Sequence, residues 1–217
     1  GAGLDTYKVA LWGGDTVHAP TPFISVCVHG IGRKSDLLSR SGARAGDAVY
    51  VSGTIGDGFL GLQDFATGAN GAARAAYERP VPQLALGQAL AGVASACIDV
   101  SDGLAGDLDH ICRASGVAME IEASAVPLSA AGVAYVQDAA GLQTLVTGGD
   151  DYQLAFSVSA DNAGKLDAIA RTANVALTKI GTVIGTPRQS PTEAFSARFV
   201  DADGGQMRLA KRGYTHF

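Results

Sequence analysis

Apolar residues fall into short runs along the chain, and most runs end in glycine, proline or an acidic turn. Residues 7–12 (YKVALW) and 23–28 (FISVCV) are two such runs near the start, and each predicts a buried strand. Further strands are predicted at 48–52, 97–100, 117–121, 153–158, 179–183 and 197–200. Helical spacing appears between them, at 34–41, 59–65, 84–94, 102–115, 130–139 and 165–172. Asp57 is placed to cap the second of these, and Pro80 and Pro82 break the chain before the third. In 102–115, Leu104, Leu108, Ile111 and Cys112 form one apolar stripe. That stripe leaves Asp107, Asp109 and His110 for the other face. Strands and helices mix without strict βαβ alternation, which predicts an α+β fold.

Composition narrows the function. The chain has 217 residues, 47% of them hydrophobic and 17% charged, enough to bury a sizeable core. Its net charge is −5, with no basic run and no interleaving of basic and aromatic residues, so nucleic acid is not an expected partner. Cys27, Cys97 and Cys112 are odd in number and widely spaced, which predicts neither a disulfide framework nor a zinc site. No signal peptide and no run of transmembrane length is visible, so a cytoplasmic protein without membrane contact is expected. An acidic protein that binds phosphates needs local guanidinium or ammonium groups, or bridging cations.

Three acidic turns follow or precede predicted strands. In Ile98-Asp99-Val100-Ser101-Asp102-Gly103, strand periodicity puts Asp99 and Ser101 on one face, and the turn can swing Asp102 toward them. Two carboxylates and a hydroxyl make the oxygen-rich site that magnesium prefers. The same residues serve equally as a helix cap and a solvated strand end. Gly13-Gly14-Asp15-Thr16 allows close backbone approach to a phosphate, with Asp15 available to a cation, or is an ordinary turn. Gly148-Gly149-Asp150-Asp151 sets two carboxylates side by side, an arrangement that needs solvent, a metal or hydrogen-bond donors. Arg40 could present its fork to phosphate oxygens, and no Lys-based phosphate loop is present. Acidic turns without such a loop suit metal-bridged phosphoryl transfer.

Taken together these segments resemble the thiamine-monophosphate kinase family, within the superfamily that includes aminoimidazole ribonucleotide synthetase and selenophosphate synthetase. The matching stretches are GGDT (13–16), LLSRSGARAGDAVYVSGTIGD (37–57), RPVPQLALGQAL (79–90), IDVSDGLAGDLDHI (98–111), TGGDDYQL (147–154) and GYTHF (213–217), in family order. The resemblance implies transfer of the ATP γ-phosphoryl group to thiamine monophosphate, with ATP as co-substrate and several Mg²⁺ ions. It implies Asp15, Asp99 and Asp102 as magnesium ligands and Gly14, Asp15, Arg40 and Ser101 as ATP contacts. Asp150 and Phe217 would contact the acceptor, and Arg40 would stabilise charge on the transferring group. The family carries Glu at the place of Asp150, so the side chain here is one methylene shorter.

The fold implied is a partial N-terminal β-domain, residues 1–45, followed by an α+β domain of the aminoimidazole ribonucleotide synthetase-like C-terminal type, residues 46–217. Family members carry a further acidic segment ahead of the position of Gly1 and form homodimers when full length. The 217 residues alone are therefore expected to be inactive. Another ATP-dependent synthetase of the superfamily and a non-catalytic binding module are the competing readings.

Overall fold

The structure, a computed structural model, describes residues 2–185 and 195–214. The chain divides into two units, Gly1–Gly32 and Arg33–Phe217. In the first, helix α1 (Ala2–Tyr7) is closed by a bond from the Val9 N–H to the Leu4 carbonyl at 3.0 Å. The strands expected at 7–12 and 23–28 do not form: Tyr7 ends the helix, and residues 23–28 carry no strand. A strand exists only where a neighbour completes its ladder, and neither run has such a neighbour within this unit. Trp12, Ile24 and Val26 consequently stand exposed, while the Trp12 ring stacks on His29.

The second unit is built on one sheet of six strands: β1 (Ala48–Ser52), β2 (Ala96–Val100), β3 (Ala118–Glu122), β4 (Gln153–Val158), β5 (Leu177–Ile184) and β6 (Ala197–Val200). Their spatial order is β2-β4-β1-β5-β3-β6. Every pairing is antiparallel except β3 with β6. Helices α2 (Asp57–Thr67), α3 (Arg74–Glu78), α4 (Leu84–Leu90), α5 (Leu104–Ser115), α6 (Ala130–Tyr135), α7 (Ala139–Val146), α8 (Ala160–Ala163) and α9 (Leu166–Ala173) complete it. The α+β expectation holds.

Alternation along the strands separates two cores. Val49, Val51, Ile98, Val100, Met119 and Ile121 pack with Leu104, Leu108 and Ile111 of α5. Tyr50, Cys97, Phe156 and Val158 point the other way, onto Leu86 and Leu90 of α4 and Leu166 and Ile169 of α9. There the Tyr50 and Phe156 rings stack at 5.7 Å. A third cluster, with Leu60, Ala73 and Leu145 at its centre, joins α2 and α7 to Tyr135 of α6.

Several predicted elements change extent. The helix expected at 34–41 is a single 3₁₀ turn, Lys34–Asp36. Gly56, not Asp57, caps α2, because the Asp57 carboxylate is occupied by the hydroxyls of Thr54 (2.6 Å) and Ser129 (2.5 Å). The helix expected at 130–139 is two, because Asp138 caps a new one through the Gly141 N–H at 2.9 Å.

The residues before β1 and β2 meet in a buried polar knot. Ser95 Oγ lies 2.6 Å from Asp47 Oδ2 and 2.7 Å from Ser157 Oγ. The Arg44 N–H is the other donor to that carboxylate oxygen, at 3.0 Å. Ser95→Ala strips a buried carboxylate of a donor and is expected to lower the unfolding free energy by about 1–2 kcal/mol. Urea denaturation of the two proteins measures this directly.

Candidate functional site

The strand-to-helix turn 101–103 is held from beneath. Asp107, one turn into α5, accepts the N–H groups of Ser101, Asp102 and Gly103 on one carboxylate oxygen, at 3.0, 3.1 and 3.2 Å. Burial pushes its carboxyl up to about 6, against the lowering effect of those N–H groups. Asp107 is thus buried, as is Asp109, although both lie off the apolar stripe of α5. An acidic side chain caps main-chain donors more strongly than water can when the turn lies inside the fold. The signal that could have revealed this was an acid one turn after a Ser-Asp-Gly turn.

The 147–152 loop closes on that turn from the other side. The Asp150 N–H donates to the Ser101 carbonyl at 2.9 Å and the Tyr152 N–H to the Val100 carbonyl at 2.8 Å. Asp150 and Tyr152 both adopt left-handed backbone, φ 62° and φ 50°. Such conformations in non-glycine residues persist where surrounding structure over-determines them, a condition met at functional sites. Glycine is required beside them: a Cβ on Gly149 would sit 2.7 Å from the Ser101 carbonyl oxygen. Gly103, at φ 120°, meets the Thr147 backbone in the same way.

Asp151 turns inward. Its carboxylate accepts from the N–H of Gly56 (3.0 and 2.9 Å) and of Gly58 (2.9 Å), at the start of α2. Burial raises its carboxyl to about 7, while those N–H groups pull it down. Asp150 therefore remains as the outward carboxylate of the pair, accepting from the Tyr152 hydroxyl at 3.1 Å.

These loops enclose a cavity of about 570 Å³. Ser101, Asp102, Asp150, Tyr152, Lys211 and Tyr214 are among its walls, with Phe59 of α2 at one side. Lys211 was not singled out in the sequence, because no pattern marks a lone residue that a distant loop delivers; Tyr152 and Tyr214 lie in the TGGDDYQL and GYTHF stretches but were given no role there. Burial, then Asp150, Asp99 and Asp102, raise the Tyr152 phenol above its ordinary value. The cavity is thus acidic with an aromatic wall.

The remaining expected residues are placed as follows. Asp99 is exposed on β2, outside the cavity wall but near enough to act electrostatically on Asp107 and Tyr152. Arg40 is exposed on a loop anchored at three points. The Cys97 N–H donates to the Ser39 carbonyl, the Ser115 hydroxyl to the Arg40 carbonyl, and the Gly42 N–H to Ser115 Oγ. Arg40 also acts on His110, whose imidazole is lowered by burial, by Arg113 and by Arg40. Gly14 and Asp15 belong to the Gly1–Gly32 unit, on an exposed segment where Asp15 accepts the Thr16 N–H at 2.8 Å. Phe217 lies outside the described residues. Among the described residues no group of three or more His, Cys, Asp or Glu side chains is close enough to hold a metal ion. Asp102 stands within the turn, and Asp99 on the strand that leads into it.

A mixed sheet covered on both faces, with an acidic turn and a glycine-rich loop closing over a cavity, defines an α+β domain with a polar pocket at the ends of β2 and β4. The chain belongs to the family of the AIR synthase related protein, C-terminal domain, which it matches over residues 44–193. It is similar to the thiamine-monophosphate kinase of Salmonella typhimurium, 36% identical over 99% of this chain and 65% of that protein. The chain thus spans somewhat less than two thirds of that relative's length. Among solved structures it resembles the thiamine-monophosphate kinase of Stenotrophomonas maltophilia K279a, with TM-score 0.69, 32% identity, and coverage of 80% of this chain and 55% of that one. It also resembles AaThiL complexed with AMPPCP and TMP, with TM-score 0.65, 28% identity, and coverage of 83% and 54%. Among the described residues no helix is long and apolar enough to cross a membrane.

Proposed function

We propose that this protein phosphorylates thiamine monophosphate to thiamine diphosphate with ATP and magnesium. The observation that carries the reading is the closure of the 147–152 loop on the 101–103 turn, which brings two motifs distant in sequence to one cavity. The kinase names of similar proteins support it, as does the AMPPCP and TMP complex of a similar structure. Gly14, Asp15, Arg40 and Ser101 would bind ATP, and Asp150 and Phe217 the acceptor. Asp15, Asp99 and Asp102 would hold magnesium, which when bound neutralises charge on phosphate oxygens. Arg40, on its triply anchored loop, would orient the transferring group and stabilise its developing charge. Residues 1–45 would contribute to the nucleotide and dimer-forming part of a cytoplasmic homodimer.

The test uses protein expressed from its complete reading frame, incubated with ATP, Mg²⁺ and thiamine monophosphate. Thiamine diphosphate and ADP should form in equal amounts, measured chromatographically. Turnover with a different phosphate acceptor but not this one would favour a sister synthetase. Calorimetric binding without any product would favour a binding module.

A further inference from the structure

Arg212 makes more polar contacts than the chemistry of the cavity requires. Its guanidinium donates to both oxygens of Asp109, Nε to Oδ2 at 2.8 Å and an Nη to Oδ1 at 2.6 Å. The same Nη donates to the Ala197 carbonyl at 2.6 Å, and the Ala197 N–H returns a bond to Asp109 Oδ1 at 2.8 Å. Asp109 is buried on α5 and Ala197 opens β6, so one fork ties the tail to a helix and to an edge strand. A bidentate pair fixes orientation as well as distance.

What the fork holds in place matters more than the fork. Its sequence neighbours on either side reach the cavity. Lys211 lines it and is the one basic side chain to do so among the described residues, and Tyr214 lines it from beyond Gly213. The Tyr214 N–H donates to the Asp102 carbonyl at 2.8 Å. Gly213 packs so closely that a Cβ there would lie 2.7 Å from that same carbonyl oxygen. The tail is therefore stitched to the acidic turn on one side of Arg212 and to α5 and β6 through Arg212 itself.

We infer that Asp109 and Arg212 are a positioning pair, which holds Lys211 and Tyr214 on the cavity wall and thereby sets affinity for the phosphorylated, cationic-ring acceptor. The inference rests on the function proposed above and assigns that site its cation. An acceptor joining a positively charged ring to a phosphate finds a carboxylate (Asp150), aromatic faces (Tyr152, Tyr214) and one ammonium within a single cavity. The ammonium is the group that discriminates the phosphorylated acceptor from its dephosphorylated form. Neither Asp109 nor Arg212 lines the cavity, so both act through the residues they place.

Steady-state kinetics on protein from the complete reading frame tests this. Arg212→Ala should raise the KM for thiamine monophosphate on the order of tenfold to a hundredfold, with little change in the KM for ATP. In a background of Lys211→Ala with Tyr214→Ala, the same substitution should add nothing, because the residues it positions are gone. An equal rise in both KM values, or a full additional effect in that background, overturns the inference. Should Arg212→Ala fail to fold, Asp109→Asn with Arg212→Gln leaves no unpaired buried charge and is measured identically. Wild-type protein that neither binds nor phosphorylates thiamine monophosphate sinks the function and the inference together. Wild-type turnover with an unmoved KM in the variants sinks the inference alone.

Discussion

Asp102→Asn is expected to lower thiamine diphosphate formation on the order of a hundredfold to a thousandfold, the range seen when one charge-stabilising group is removed from a preorganised site. Asparagine keeps the shape of the side chain and loses its charge. The main chain at 102 is fixed independently, its N–H by Asp107 and its carbonyl by Tyr214, so the turn should survive the substitution. Loss of rate with an unchanged melting temperature is therefore the expected pairing. Rates measured across a magnesium titration check the cause, since a missing carboxylate ligand weakens the ion's hold. A near-normal rate at limiting magnesium would remove Asp102 from the metal set.

The second large effect falls on Asp151, and it is one of stability. Asp151→Ala leaves the N–H groups of Gly56 and Gly58 without their carboxylate and should cost about 2–3 kcal/mol. The pH dependence has a definite sign. The carboxyl is raised from 3.8 to about 7, principally by burial. Below the unfolded value both states are protonated, and the stabilisation from this group is fully present. As pH rises toward about 7 the unfolded chain releases the proton and the folded protein retains it, so the contribution is lost. Unfolding free energy should thus decline over that window more steeply in the wild type than in Asp151→Asn. Parallel profiles for the two proteins would refute the assignment.

Much of the sheet was legible because strand residues alternate between two apolar cores, and the runs 48–52, 153–158 and 197–200 match the observed strands. The runs near the start misled for the same reason. Apolar alternation reports a capacity to pair, and among the described residues of the Gly1–Gly32 unit there is no partner strand. On α5 the stripe through Leu104, Leu108 and Ile111 read correctly, yet Asp107 and Asp109 are buried beside it. Periodicity scores a carboxylate as solvent-seeking and cannot see main-chain donors or the Arg212 fork that it meets in space. The acidic motifs could be read from the sequence, as could their glycines. What could not was the division of labour inside Asp150-Asp151, which depends on Gly56 and Gly58, donors far away along the chain.

The strand order β2-β4-β1-β5-β3-β6 places no two consecutive strands side by side. A chain emerging from the ribosome through β3 therefore carries three strands with no hydrogen-bonding partner among themselves. β4 unites β1 with β2, and β5 unites β1 with β3. Among the described residues none of the six strands pairs with its neighbour in sequence, so every ladder between them demands closure of a long loop before contacts repay it. Such non-local pairing slows folding relative to sheets built from hairpins. Val49 and Ile98, both sealed in the finished core, lie on strands whose ladder partners are supplied only by residues 153–184. The cavity is consequently a late product of folding, since its two closing loops flank β2 and β4, the pair joined only after most of the chain exists.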